Sequence, residues 1–312
     1  MGAIQEKLLY GSELSGHYGR RLLKKSRSPY PLISKSETTD LIRSAILSGE
    51  PFMAARFGGN ESRACAEAFA IRAGVKKRFS QKIMDRMANG AGFFNPDEES
   101  LFRFSELMES SVLQLDLLGF WDSALQKYLV DKLELEGVVL TSLGNLEPYY
   151  LPENPWTSAL KGKRVLVVHP FAESISRQHE GNREKLFAGT DILPEFQLET
   201  VRAVQTIAGN VDPRFASWFD ALNYMQEEID AKDFDVALIG CGAYGFPLAA
   251  HVKATGKQAV HLGGALQVLF GVMGKRWETN SEIVKYVNDA WTRPSESERP
   301  TNGSNVENGC YW

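Results

Sequence analysis

The order of apolar and polar stretches along these 312 residues predicts an α/β fold, a Rossmann-like parallel sheet flanked by helices, with a helical insertion at about 79–135. Three observations predict it. Apolar runs of strand length alternate with amphipathic runs of helix length, the pattern of strands joined by helical crossovers. The run KRVLVVH (163–169) is apolar nearly throughout, as expected of a strand covered on both faces. A glycine-rich turn, GCGAYG (240–245), stands between a strand pattern and a helix pattern.

The elements follow in order. Residues 37–49 read as a helix: Leu41, Ile42, Ala45 and Ile46 make one apolar face and Gly49 ends it. PFMAARFGG is a short buried strand closing on two glycines, and ESRACAEAFAIRAG is a helix stopped by Gly74. Residues 79–135 read as mainly helical, broken at Asn89-Gly90 and Asn95-Pro96; their many Leu and Phe are assigned to core packing. GVVLT (137–141) is a strand, SLGNLEPYYLPENPW a Pro-rich loop, KRVLVVH a strand, and the stretch after Pro170 a helix. Leu198–Ile207 is a strand, Phe215–Ala231 a helix, Asp235–Ile239 a strand, Phe246–Thr255 a helix, QAVHL (258–262) a strand and Ala265–Phe270 a short helix. The tail, 292–312, reads as a loop whose Cys310-Tyr311-Trp312 docks back on the body. The domain organisation is a basic segment (1–36), one α/β domain (37–291) and this tail.

Composition excludes several classes. Lys plus Arg number 35 against 39 Asp plus Glu, a net charge of −4, which argues against a dedicated nucleic-acid binder. No run of about 18 apolar residues occurs, and the first residues lack the pattern of a signal peptide. Gly2 and Cys310 do not fit lipidation signals. Three scattered cysteines, Cys65, Cys241 and Cys310, read as reduced thiols of a cytoplasmic protein. The cluster Arg20, Arg21, Lys24, Lys25 and Arg27 is either a solvated helix face or a contact with anionic lipid or a phosphate-bearing acceptor.

Four clusters carry candidate chemistry. In the first, Gly240, Gly242, Tyr244 and Gly245 form a turn that offers backbone amides to a phosphate, holds a dinucleotide, or is simply tight. The dinucleotide reading lacks its usual acid, because the next strand ends in His261-Leu262-Gly263-Gly264. The second is Arg56, Gly58, Gly59, Asn60 and Glu61, at the end of a strand where open α/β sheets bind ligands. Glu61 is a general base, a metal ligand or only a helix cap. The third is Glu147, His169, Glu173 and Gln178, with His169 either a base or a satisfied structural histidine. The fourth is His261, Gly263, Gly264 and Gln267, followed by Lys275 and Arg276, which either neutralise an anion or face solvent. No Ser-His-Asp elbow, P-loop or paired metal-binding histidines occur.

Together these residues resemble bacterial glycosyltransferases of the GT-D fold. DVALIGCGAYGFPLAAHVKATGKQAVHLGGALQVLFGVMGKRW resembles their C-terminal half, and ARFGGNE their N-terminal motif, in which a strand ends in Arg-Phe-Gly before an acidic D-x-E. GCYW, NLEPYYLPENPW and VLVVHPF resemble a polysaccharide-locus subgroup. The resemblance spans roughly 40–312. It implies transfer of a sugar from a nucleotide-sugar donor, a UDP-sugar foremost, to a saccharide or lipid-linked saccharide acceptor in surface polysaccharide biosynthesis. The protein would then be cytoplasmic, with peripheral contact at the inner face of the membrane through its basic N-terminus.

Carried over by position, Glu61 matches the last acid of D-x-E, while Gly59 stands where the first should be and Asn60 between them. One carboxylate is a thin anchor for Mn²⁺ or Mg²⁺, so either the donor diphosphate holds most of the metal or the reaction is metal-independent. In the second case the glycine-turn amides, His261, Lys275 or Arg276 stabilise the leaving diphosphate. The expected roles are Glu61, with His169 and Glu173 in reserve, for catalysis. Arg56, Gly58, Gly59, Asn60, Gly240, Gly242, Tyr244, Gly245, His261, Gly263, Gly264 and Gln267 hold the donor; Glu147, Lys275 and Arg276 touch acceptor or phosphate. The competing readings are an NAD-dependent oxidoreductase and a noncatalytic nucleotide-binding protein.

Overall fold

The computed structural model describes residues 30–135, 137–306 and 309–312. The basic cluster Arg20–Arg27 lies outside the described residues. Among those described, seven strands form one all-parallel sheet in the order β3-β2-β1-β7-β6-β4-β5. They are β1 (Phe52–Arg56), β2 (Leu117–Phe120), β3 (Val139–Ser142), β4 (Arg164–His169), β5 (Gln197–Arg202), β6 (Val236–Ile239) and β7 (Gln258–His261). The α/β expectation therefore holds.

Side chains alternate between two cores along each strand, as a period of two requires. Met53 and Ala55 of β1, Leu166 and Val168 of β4, and Ala237 and Ile239 of β6 enter one core. Phe52 and Ala54, Val165 and Val167, and Val236 and Leu238 enter the other. The first core is roofed by α2 (Gly59–Arg72), α3 (Gln81–Arg86), α4 (Glu98–Ser111), α5 (Ala124–Lys132), α7 (Trp218–Asp230) and α8 (Gly245–Ala254). The second is covered by α1 (Lys35–Ser48), α6 (Ala172–Leu186), the short α9 (Leu266–Leu269) and the 3₁₀ turn Trp156–Leu160. A last short helix, α10 (Ser281–Val284), precedes the C-terminal segment. Local signals are consistent with these bounds: Ser34 and Glu37 make a reciprocal cap on α1, and Gly49 ends it in the left-handed region at φ 74°.

The sequence reading errs within 79–135. That region is mainly helical, but Leu117–Phe120 is a central strand, paired with β1 and β3. Four consecutive buried residues, LLGF, carry no period that separates a two-sided strand from a buried helix. The expected strand 198–207 stops at Arg202. The tail docks back on the body, as expected: Trp312 packs at 6.1 Å from Phe171, and Glu298 is wholly buried. No helix among the described residues is long and apolar enough to cross a membrane.

The chain order sets where a ligand crevice opens. From β4 the chain moves outward through α6 to β5, whereas from the adjacent β6 it moves the other way through α8 to β7. The carboxyl ends of β4 and β6 thus flank a topological switch point, the usual crevice of open α/β sheets.

Candidate functional site

Arg56 ends β1 and Gly58 is the N-cap of α2, with no side chain of its own to cap the helix. Glu61, in the first turn, fills that role. Its carboxylate folds back against Gly58, where a Cβ would overlap it, and meets the amides of Asn60 and Glu61. Burial raises its pKa above the usual carboxylate range; the two amides and the charge of Arg56 pull in the opposite direction without prevailing. Asn60 lies against Gly90, and Arg63 Nη1 donates to the Gly59 carbonyl at 2.9 Å.

Arg56 is the hub of the surrounding groups. Its Nη1 lies 3.8 Å from Glu147 Oε1 and 3.4 Å from the Leu262 carbonyl, and its guanidinium sits 5.8 Å from the Trp121 ring. Glu147, beyond β3, accepts from Tyr149 Oη at 2.6 Å. Its pKa is also raised by burial, against the pull of Tyr149, Arg56 and Arg276. His261, at the end of β7, is held neutral by burial and by the charge of Arg56, its pKa down to about 3. Its Nδ1 is buried with no hydrogen-bond partner among the described residues. Arg56 thus stands against Glu61, Glu147 and His261, which the sequence assigns to three separate clusters.

Sequence reasoning missed Trp121. It follows β2 and is 42% exposed beside Arg56. The apolar run before it is the available signal, but LLGF has no period that marks it as a strand ending before Trp121.

The glycine turns are filled by the protein itself. A Cβ on Gly240 would lie 2.5 Å from the Gly263 carbonyl and 2.9 Å from His169. Gly242 adopts φ +59° and a Cβ there would lie 2.6 Å from the Ala91 carbonyl. A Cβ on Gly245 would overlap the His261 ring, and one on Gly264 the Tyr311 ring. Gly263 has φ +60° beside the Arg56 side chain. Tyr244 is buried, stacked on Trp218 at 4.5 Å. Gln267 is buried too, donating to the carbonyls of Val272 at 3.0 Å and Tyr311 at 3.1 Å. The tight-turn reading accounts for these glycines; their empty volume is taken up by close approach of chain segments.

His169 Nδ1 accepts from the Phe171 amide at 3.0 Å. Burial lowers its pKa to about 3, against the opposing charge of Glu298. The neutral ring therefore carries its proton on Nε2 and is a donor, not the reserve base expected. Glu173 is exposed and its side chain is paired with Arg177 at 3.0 Å, while its backbone amide donates to Glu298. Gln178 is structural, donating to the Ala290 carbonyl at 2.8 Å. Arg276 lies 4.8 Å from the Tyr311 ring, and its charge reaches Glu147.

Glu298 is the other residue missed. It accepts from the amides of Glu173 (2.8 Å) and Ser174 (3.1 Å), from Ser174 Oγ, and from the amide (3.3 Å) and hydroxyl (2.7 Å) of Ser295. Burial alone would raise its pKa; the hydrogen bonds of Ser174 and Ser295 outweigh it and hold the pKa low. No sequence signal links Glu298 to a helix start more than 120 residues earlier.

Among the described residues no three His, Cys, Asp or Glu side chains converge as metal ligands. Glu61 is turned to its own helix amides, and Glu147 is taken by Tyr149 and Arg56. Hard divalent cations need accessible, ionised oxygens. These residues do not fit a resident Mn²⁺ or Mg²⁺.

The chain matches no protein-family model and no curated protein. Two solved structures resemble it, both of the domain of unknown function 1792. One is a selenomethionine-substituted structure of that domain, at 13% identity; the other, at 12%, is described as showing that the highly conserved domain has a distinct glycosyltransferase fold. Each superposes with a TM-score of 0.39 over 85% of this chain and 96% of its own. A likeness of this degree carries no argument about activity.

Proposed function

We propose that the protein is a glycosyltransferase that moves a sugar from a nucleotide-sugar donor, a UDP-sugar foremost, to a saccharide acceptor in surface polysaccharide assembly. The observation that supports this most is Glu61. It is buried, its pKa is raised, and it stands beside Arg56 at the end of β1, where the GT-D resemblance puts an essential acid. A carboxylate whose pKa is raised in a strand-end cluster is a stronger base than an ordinary one.

In the reaction the acceptor hydroxyl attacks the anomeric carbon, the bond to the diphosphate breaks, and one proton must leave the hydroxyl. Glu61 takes that proton. Arg56 supplies fixed positive charge towards the leaving diphosphate, a role that needs no metal. The basic N-terminal segment would suit a lipid-linked acceptor at the inner face of the membrane. The oxidoreductase alternative has no support: β7 ends in His261, with no acid for a ribose.

The test is Glu61→Gln, with UDP-sugar binding, sugar release and transfer measured separately. A base predicts unchanged binding and turnover lower by about 10²–10⁴-fold. Full turnover would remove Glu61 from the mechanism. Nucleotide binding by the parent without sugar release or transfer would favour the noncatalytic reading.

A further inference from the structure

A cavity of 610 Å³ lies away from Glu61, at the carboxyl end of β5. Arg202, Arg214 and Arg299 line it, with Asp212 the only carboxylate in its wall. Asp212 is already neutralised by Arg214 at 2.7 Å. Arg202 donates to the Ser297 carbonyl at 2.8 Å and has no carboxylate partner among the described residues. Arg299, Pro300 and Thr301 also line a second cavity of 550 Å³ whose far wall holds Lys275 and Trp312. Its one acidic side chain, Glu296, is paired with Arg299 at 2.9 Å. The two cavities share a wall and carry a surplus of positive charge.

The position is that of a binding site. The amide of Ala203, in the cavity wall, donates to the His169 carbonyl at 3.2 Å, so the cavity adjoins the carboxyl end of β4 and the switch point. Its volume falls within the range of small-molecule sites, about 300–1,000 Å³, and exceeds what one phosphate fills. Arginine forks match phosphate oxygens.

We infer that this cavity binds a diphosphate ester through Arg202 and Arg299, with the Arg214–Asp212 pair a charge-neutral part of its wall. The binding stands without the proposed activity; only the source of the diphosphate, nucleotide donor or lipid-linked acceptor, rests on that reading.

The test is calorimetric titration of the full chain with inorganic pyrophosphate at constant ionic strength. The parent binds, and Arg202→Gln with Arg299→Gln together weaken binding about tenfold or more, while Arg202→Lys retains part of it. Arg72→Gln, outside both cavity walls and paired with Glu106 and Glu109, leaves pyrophosphate affinity unchanged. Absence of binding by the parent overturns the inference, as does a loss caused by Arg56→Gln and not by the double variant. Melting curves of each variant separate lost binding from lost folding. A repeat with saturating UDP identifies the source: displacement of pyrophosphate means the donor diphosphate, and undiminished binding means the acceptor's. Either result supports the site, and neither requires turnover.

Discussion

The N-termini of α2 and α6 each hold a buried glutamate, and the two are in opposite electrostatic states. Glu298 is brought to α6 from the C-terminal segment and receives five hydrogen bonds from amides and hydroxyls. Its pKa is held low. Glu61 belongs to α2 itself and meets only the amides of its own first turn. Its pKa is raised. Both positions offer the same helix-end field. The difference is the number of donors, and it teaches which carboxylate serves the fold and which is left able to move a proton. A buried group that its surroundings satisfy fully has no chemistry to spare; one that is under-satisfied is where function belongs.

The largest effect expected is at Glu298. Glu298→Ala strands the amides of Glu173 and Ser174 and frees the tail from α6, so it should cost about 3 kcal/mol in urea unfolding. Glu61→Gln should leave the protein at least as stable as its parent at neutral pH, because it removes an ionised group that burial disfavours. Equal losses at the two positions would break the comparison.

The same contrast predicts opposite pH dependence. Glu298 has a lowered pKa, so its contribution is complete above about pH 4.5 and is lost as pH falls through its folded value. Glu61 has a raised pKa, so the parent is relatively most stable below about pH 4.5 and loses that advantage as pH rises towards the folded value. His169 and His261, held neutral with pKa values near 3, act in parallel with Glu298: stability rises with pH between about 3 and 6.5. Subtracting the parent's stability curve from that of Glu61→Gln cancels the histidines. The difference should be flat below about pH 4.5 and grow in favour of the variant above it.

What was legible in the sequence follows the range of the forces involved. The α1 cap, the run KRVLVVH and the acid just after β1 are local, fixed by residues a few positions apart. Arg56, Glu61, Glu147 and His261 were each legible as strand-end residues, which parallel topology gathers at one edge; their grouping around Arg56 was not. Strand β2 was not, since LLGF has no period. Nor was the reason for Gly240 and Gly245, whose fillers are His169 and His261 at the ends of β4 and β7 and Gly263 in the turn after β7. Glu298 was invisible because its donors, Ser295 aside, lie more than 120 residues away.

A smaller effect on stability gives the sharpest test of the comparison. Gly58 has φ −72°, so an alanine there meets no backbone strain. The three atoms nearest the added methyl all belong to the Glu61 carboxylate, the far end of a flexible side chain. Gly58→Ala should therefore cost no more than about 1 kcal/mol while expelling Glu61 towards solvent. Once hydrated, the carboxylate loses the burial that raises its pKa, and its titration falls back towards about 4.5. The acid limb of a transfer or sugar-release profile should move to lower pH in Gly58→Ala, with the maximal rate reduced because the base is weaker and displaced. A variant that folds normally but keeps the parent's acid limb would show that Glu61 is not the titrating group, and that the difference between the two glutamates is architectural alone.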